Sequence, residues 1–295
     1  MDLATASPSS LFKQWRSGDG AAGQAMAQRF SDWYYAITTC RLGEEHGRGP
    51  LQRACVRFQQ GILSVTTPQE LADWAHGLVS DEVGMAGGRI AGGDFPSRLT
   101  NSKSPTELLR QVARQLSGDE VRILSAAYDT SIAIDEVQQQ AEVLGGYPLA
   151  VLQARLSLKR ALRDQASVAF SEVPDSPNLD LAPLPLYEAG RMHSPAEESG
   201  FEKWMLTNMP LCKDIAEFGV FAQALRAGAF RGLAESPAPA PSRSLAPSAQ
   251  RPSVLDMEDE PPSNNMALPV AIVVVLLLGG MVLVALGFTI AYGGF

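Results

Sequence analysis

An uncharged segment at the carboxyl end is the sequence feature that most limits how this chain can fold. Residues 261–295 contain no Asp, Glu, Lys or Arg, and most of them are apolar. The apolar run is longer than the roughly 20 residues that an α-helix needs to cross the hydrocarbon core of a bilayer. We therefore predict one transmembrane helix over residues 268–291 and expect the folded domains to precede it.

Residues 234–265 form a segment of a different kind. Pro, Ala and Ser dominate it, and it contains no aromatic residue. Such a composition cannot bury enough apolar surface to offset the entropy that ordering would cost. We predict a disordered Pro/Ala/Ser linker between the folded part and the membrane helix.

The net charge and the cysteine spacing limit which partners and which cellular compartment we expect for the protein. The formal net charge of −8 argues against a chain whose main role is non-specific binding to nucleic acid or anionic lipid. The three cysteines are widely and irregularly spaced, so they do not form a disulfide framework. No apolar run of the kind found in secretion signals precedes Leu11. We expect a single-pass protein of the cytoplasmic membrane with its N-terminal domains in the cytoplasm.

The first 230 residues have the periodicity and capping of helices. Thr67 precedes Pro68 and a Glu at position 70, which is the pattern of a helix start. Ser117 and Glu120 repeat the pattern of a capping box. Because convincing strand alternation is absent from the sequence, we predict an all-α fold.

Residues 135–164 have the pattern of a helix-turn-helix. An amphipathic stretch ends at Leu144, Gly145 and Gly146 follow, and a second helix is predicted from about Pro148. Between residues 143 and 163 all charged side chains are basic, namely Arg155, Lys159, Arg160 and Arg163. A solvated basic face and a surface that contacts DNA or phosphate explain this local charge equally well.

These helical segments resemble bacterial sigma factors of the extracytoplasmic-function type over roughly residues 10–165. LFKQWRSGDGAAGQAMAQRFSDWYYAITTCRLG and VTTPQELADWAHGLVSDEV are similar to that family's first domain, with Trp74 as its central Trp. LSGDEVRILSAAY and DEVQQQAEVLGGYPLAVLQARLSLKRALRD are similar to its second domain, which reads a promoter element. The resemblance implies a region 2-like domain over 10–92 and a region 4-like helix-turn-helix domain over 104–165. RNA polymerase core and promoter DNA are the implied partners, and the basic cluster Arg155, Lys159, Arg160 and Arg163 is the implied DNA-binding set.

The region 2-like domain departs from the family pattern at two places. Residues 50–53 read PLQR where the family usually carries an acidic stretch that grips polymerase. Residues 68–90 carry four acidic side chains against the single Arg89, a net charge of −3, where the family is normally basic. Phosphate neutralisation by this segment is therefore not expected.

Residues 184–230 resemble the zinc-type anti-sigma domain, a small helical module that wraps a sigma factor. The positions of that family's His-x3-Cys-x2-Cys motif are Met205, Met209 and Cys212. Thioethers are poor Zn²⁺ ligands, and one thiolate cannot complete a tetrahedral site. We expect a degenerate module without metal or other cofactor, in which Met205 and Met209 pack between helices.

The resemblance implies a membrane-tethered sigma-like regulator of bacterial transcription that its own anti-sigma-like module holds inactive until a signal releases it. The alternative is that the sigma-like domains lack transcription activity and act as a scaffold for another protein at the bacterial inner membrane. The acidic residues 68–90 favour the scaffold, and the basic cluster favours the regulator. His46, His76 and His193 stand in unrelated contexts, so we do not expect an enzyme.

Overall fold

The computed structural model describes residues 3, 5–89, 99–101, 103–132 and 147–233. The first helix of the predicted helix-turn-helix, the linker over 234–265 and the transmembrane helix over 268–291 lie outside these residues. Within the described ranges, no helix is both long enough and apolar enough to cross a membrane.

All regular elements of the described residues are helices, and no strand occurs among them, which confirms the all-α class for this part of the chain. Short 3-10 turns follow α2 and α4 and precede α7. The α-helices are α1 (Pro8–Arg16), α2 (Gly20–Gly61), α3 (Pro68–Met85), α4 (Pro105–Val112), α5 (Gly118–Tyr128), α6 (Tyr147–Ala166), α7 (Leu184–Ala189), α8 (Pro195–Met205) and α9 (Met209–Arg226).

The helix starts follow the capping residues read from the sequence. The Thr67 side chain accepts a hydrogen bond from the backbone N–H of Glu70, and Pro68 occupies the first helical position of α3. Ser117 and Glu120 form a reciprocal capping box at the start of α5. Each cap satisfies backbone N–H groups that would otherwise lack a partner within the helix.

Helix α2 contains a sharp break at Gly43. The backbone there has φ +86° and ψ 165°, a conformation that glycine adopts without steric cost. The sequence pattern places a helix end at Gly43, and the structure shows that the chain resumes as a helix and continues to Gly61. The break redirects the second half of α2.

A first hydrophobic core lies among α1, α2 and α3. Trp33 and Tyr34 are fully buried on α2, with their ring centroids 5.4 Å apart. Phe30 packs on Phe58 from the other half of the same helix, at 4.6 Å between centroids. Burying a large aromatic side chain stabilises a fold by about 1.5–3 kcal/mol, so this cluster holds the two halves of α2 together.

A second hydrophobic core lies among α4, α5 and α6, and α9 contributes to both cores. Ile215 on α9 packs in the first core, whereas Phe218 and Phe221, three and six residues further along, pack in the second. Helix α9 is therefore shared by the two cores, and both belong to one compact unit. The division of this part into domains over 10–92, 104–165 and 184–230 stays a prediction.

Candidate nucleic-acid interface and the segment that covers it

The basic cluster lies on α6, and its members point in different directions. Arg155 and Lys159 are one helical turn apart and share a face that is buried, with 6% and 1% of their surfaces exposed. Arg160 is half-buried, and Arg163 is exposed. A buried cation needs a partner. For Arg155 and Lys159 the carboxylate partners come from residues 184–230, which we call the covering segment.

Arg155 makes a two-pronged ion pair with Glu188 on α7. Its Nε donates to Glu188 Oε2 at 2.8 Å, and its Nη2 donates to Glu188 Oε1 at 2.6 Å. The same Nη2 donates to Asp214 Oδ2 on α9 at 2.5 Å. The guanidinium also lies over the ring of Phe218, 4.2 Å from its centroid. Paired donors and ring stacking are the geometry in which arginine binds most strongly.

Lys159 pairs with the second carboxylate oxygen of Asp214. Its Nζ pairs with Asp214 Oδ1 and donates to the backbone oxygen of Glu172 at 3.0 Å. Burial alone would raise the pKa of Asp214, but Arg155 and Lys159 outweigh burial and hold that pKa below its usual range. Asp214 therefore stays ionised and bridges both cations.

Glu188 is itself fully buried and fixed from several sides. The hydroxyl of Tyr128 on α5 donates to Glu188 Oε2 at 2.7 Å. Arg226 on α9 donates to the backbone oxygen of Glu188. The carboxylate therefore has donors from α5 and α6, so it is satisfied without water.

The other two members of the basic cluster, Arg160 and Arg163, contact residues outside the covering segment. Arg160 donates to the backbone oxygens of Pro174, at 3.2 Å, and of Asp175. Arg163 pairs with its neighbour Asp164 at 2.9 Å, and both side chains are about half exposed. Thus the structure separates the four sequence-predicted residues into two covered and two outer ones. Their contact with DNA stays a prediction.

The covering segment also binds the first core, through Glu202 on α8. This carboxylate is 1% exposed and meets His76 Nε2 on α3 at 2.7 Å. It also meets Arg41 Nη1 on α2 at 3.4 Å and accepts from the Tyr187 hydroxyl at 2.8 Å. The backbone oxygen of Glu202 accepts from Trp33 Nε1 at 2.6 Å. One residue of the covering segment thus joins α2, α3 and α7.

Further ion pairs surround this anchor. Glu198 meets Arg41 at 2.8 Å and Arg89 at 2.5 Å. Lys203 meets Asp73 on α3 at 2.6 Å, and hydrogen bonding to Lys203 lowers the pKa of Asp73. Asp73 is largely exposed, and exposed pairs of this kind contribute little to stability. The buried Glu202 is therefore the main polar anchor to the first core.

Glu202, His76 and Ser199 contact one another in the order acid, histidine, serine, which is also the order of a hydrolase catalytic triad. The histidine Nε2 contacts Glu202, and its Nδ1 lies 3.5 Å from the hydroxyl of Ser199. The Ser199 contact is at the long limit for a hydrogen bond, and Glu202 is already engaged by other donors. We interpret the chain of contacts as a structural link between α3 and α8.

The residues at the degenerate metal motif are packed in the first core. Met205 and Cys212 are buried, and Met209 packs against the core while partly buried. Cys212 donates its thiol to the backbone oxygen of Met205 at 3.1 Å, and burial raises the pKa of this thiol to about 12. A protonated thiol is a poor metal ligand. Across the described ranges, no three His, Cys, Asp or Glu side chains are grouped as a metal site would require.

The acidic partners of the basic cluster were not identified from the sequence. Glu188 and Asp214 lie 33 and 59 residues beyond Arg155, outside any local pattern. One signal was available. The anti-sigma-like resemblance of residues 184–230 implies a segment that wraps the sigma-like domains, so its acids were candidates to meet the basic helix.

Comparison with known proteins adds no relative: no protein-family model, curated protein or solved structure matches this chain.

Proposed function

We propose that this protein is a membrane-tethered, sigma-factor-like transcription regulator, held inactive by its own covering segment. The observation that carries the proposal is the burial of Arg155 and Lys159 beneath Glu188 and Asp214. These cations belong to the acid-free basic cluster of the helix-turn-helix-like segment. The carboxylates of the covering segment occupy the place that DNA phosphates would take.

The physical consequence of this pairing is a loss of phosphate binding. Binding to DNA draws its free energy from lysine and arginine side chains that neutralise phosphates and release counterions. Arg155 and Lys159 are already neutralised inside the protein, so they add nothing to that term while the covering segment is in place. Residues 68–90, with a net charge of −3, do not replace them.

Activation in this account requires displacement of the covering segment. Displacement would break the buried ion pairs of Glu188 and Asp214 and take Phe218 and Phe221 out of the second core. Because buried apolar contacts are lost together with the ion pairs, opening should be rare without a signal. The proposed helix over 268–291 and the linker over 234–265 would place the regulator at the bacterial inner membrane, where such a signal can reach it.

A DNA-binding comparison tests the proposal. We would purify the full chain in mild detergent and measure its affinity for a short fluorescent duplex by anisotropy at low salt. The opened variant carries Glu188→Gln and Asp214→Asn, and the matched control carries Glu197→Gln and Glu217→Gln in the same segment. Both pairs remove two negative charges. The proposal expects at least tenfold tighter binding by the opened variant alone, and equal affinities for all three proteins would refute it.

A scaffold without transcription activity is the second candidate function. Arg53 and Arg57 of α2 are paired with Glu82, and Arg57 also with Asp81, so basic groups on this face are neutralised too. This observation favours a surface that binds protein rather than DNA. An opened variant that exposes α6, shown by faster amide exchange, and still binds no duplex would favour the scaffold.

A further inference from the structure

The break in α2 lies where two buried backbone oxygens meet α9. Thr39 and Cys40 lie in the turn that precedes the break at Gly43, and both residues are buried. A backbone carbonyl oxygen has two lone pairs, so it can accept a hydrogen bond from another helix. These two oxygens therefore form a small acceptor site on α2.

Helix α9 supplies the donors. Gln223 Nε2 donates to the backbone oxygen of Thr39 at 3.3 Å. Arg226 Nη2 donates to the backbone oxygen of Cys40 at 2.9 Å. The two donors are three residues apart and so lie on one face of α9. Both are buried, with 5% and 2% of their surfaces exposed.

The fit is also steric. A side chain at Gly43 would overlap the amide of Gln223, and the positive φ there would strain any other residue. One turn before Gln223, a Cβ at Gly219 would lie 3.3 Å from Thr39 Cγ2, so the absence of a side chain allows α9 to approach α2 closely. The acceptor site thus fits a helix with a small residue, a Gln one turn later and an Arg three residues further on.

Arg226 connects this site to the basic cluster. Its Nη1 donates to the backbone oxygen of Glu188, and the carboxylate of Glu188 holds Arg155. The path of contacts from the α2 break to Arg155 therefore passes through two residues, Arg226 and Glu188. Phe218 on α9, which stacks on Arg155, lies little more than one turn before Gln223.

We propose that the break at Gly43 is the recognition site for α9 and that docking there controls the covering of Arg155 and Lys159. Loosening α9 at the break uncovers α6, although the break itself makes no contact with either cation. This inference rests on the proposed function for its biological meaning, but the coupling is a physical property that can be measured separately.

The test uses the full chain in detergent and two readouts, amide hydrogen exchange in α6 and affinity for the fluorescent duplex. The variants are Gln223→Ala, the milder Gln223→Asn, and Gly43→Ala. The matched control is Gln28→Ala, which removes a Gln that bonds Asp32 on the exposed face of α2. We expect roughly tenfold faster exchange in α6 and a similar gain in affinity for Gln223→Ala, because the buried hydrogen bond between α9 and the Thr39 oxygen is lost. Gln223→Asn gives a smaller change, and Gln28→Ala gives none.

The outcomes separate the two proposals. Faster exchange in α6 without DNA binding by any variant supports the coupling and refutes the proposed function. Tighter DNA binding by the opened variant, with unchanged exchange and affinity in the Gln223 and Gly43 variants, refutes the coupling and leaves the proposed function standing. If Gly43→Ala unfolds, as circular dichroism would show, the two Gln223 variants decide the result.

Discussion

Arg155 Nη2 lies 2.6 Å from Glu188 Oε1, and this ion pair joins the basic helix α6 to the covering segment inside a buried interface. Neither side chain is accessible to a macromolecular partner, since 7% of the arginine side chain and none of the glutamate is exposed. The pair therefore makes DNA binding and docking of the covering segment mutually exclusive at Arg155.

Removal of Glu188 should destabilise the whole described unit. In Glu188→Ala, Arg155 keeps only Asp214 as a carboxylate partner, and the hydrogen bond from the Tyr128 hydroxyl to Glu188 is lost. We expect a loss of about 3–5 kcal/mol in the free energy of unfolding, measured by urea denaturation. Asp164→Ala, which breaks the exposed pair with Arg163 on the same helix, should cost less than about 1 kcal/mol. Similar losses in the two variants would contradict the role given to the buried pair.

Low pH should weaken the ion pairs that Asp214 makes with Arg155 and Lys159. The pKa of Asp214 is lowered in the folded protein by Arg155 and Lys159, which outweigh the effect of burial. A lowered carboxyl pKa contributes stability that is present above the unfolded-state pKa, about 3.9, and is lost as pH falls through the folded-state value. The stability difference between wild type and Asp214→Asn should therefore be largest near neutral pH and shrink below about pH 4. A difference that is constant with pH would show that charge at Asp214 does not matter.

The sequence predicted what depends on neighbours along the chain. The caps at Thr67 and Ser117 and the interruption at Gly43 are local, and the structure shows all three. The covering of Arg155 and Lys159 was missed because burial depends on which distant helix packs on α6. An acid-free run looks equally solvated or DNA-facing when the acids that neutralise it lie 33 to 59 residues away.

In the first core, too, a polar partner that is distant in sequence was not predicted. His76 seemed an isolated histidine, yet it meets Glu202, 126 residues later, in a buried contact. Periodicity identifies which face of a helix is apolar, but it does not identify the partner of a polar group on that face. The burial of Met205 could be predicted from the sequence, since a thioether in an apolar helix pattern packs in a core whichever residues surround it.

Metal removal should leave the protein unchanged. Met205, Met209 and Cys212 occupy the motif positions, and the buried Cys212 thiol has a raised pKa that disfavours the thiolate. We expect less than about 0.1 equivalent of zinc by elemental analysis, and the same thermal midpoint with and without a chelator, because structural zinc would contribute directly to folding. One equivalent of zinc retained through dialysis would contradict this expectation.

Deletion of residues 268–291 should release the protein from membranes. The segment supplies more than the length of apolar chain that a spanning helix needs, and no charged residue interrupts it. After cell fractionation, we expect the full chain in the membrane pellet and the deletion variant in the supernatant. Replacement of the same residues by an equally long Leu/Ala helix should return the protein to the membrane pellet. A full chain found in the supernatant would contradict membrane anchoring by residues 268–291.

The salt dependence of DNA binding tests the central claim most directly, because its slope counts the phosphates that the protein neutralises. The measurement compares wild type, the Glu188→Gln/Asp214→Asn variant, and that variant with Arg155→Ala and Lys159→Ala added. If the covering segment blocks these two cations, the slope of log K against log salt should become steeper by about two in the opened variant and return to the wild-type value when both cations are removed. Equal slopes in all three proteins would contradict the claim that residues 184–230 keep a DNA-binding surface covered.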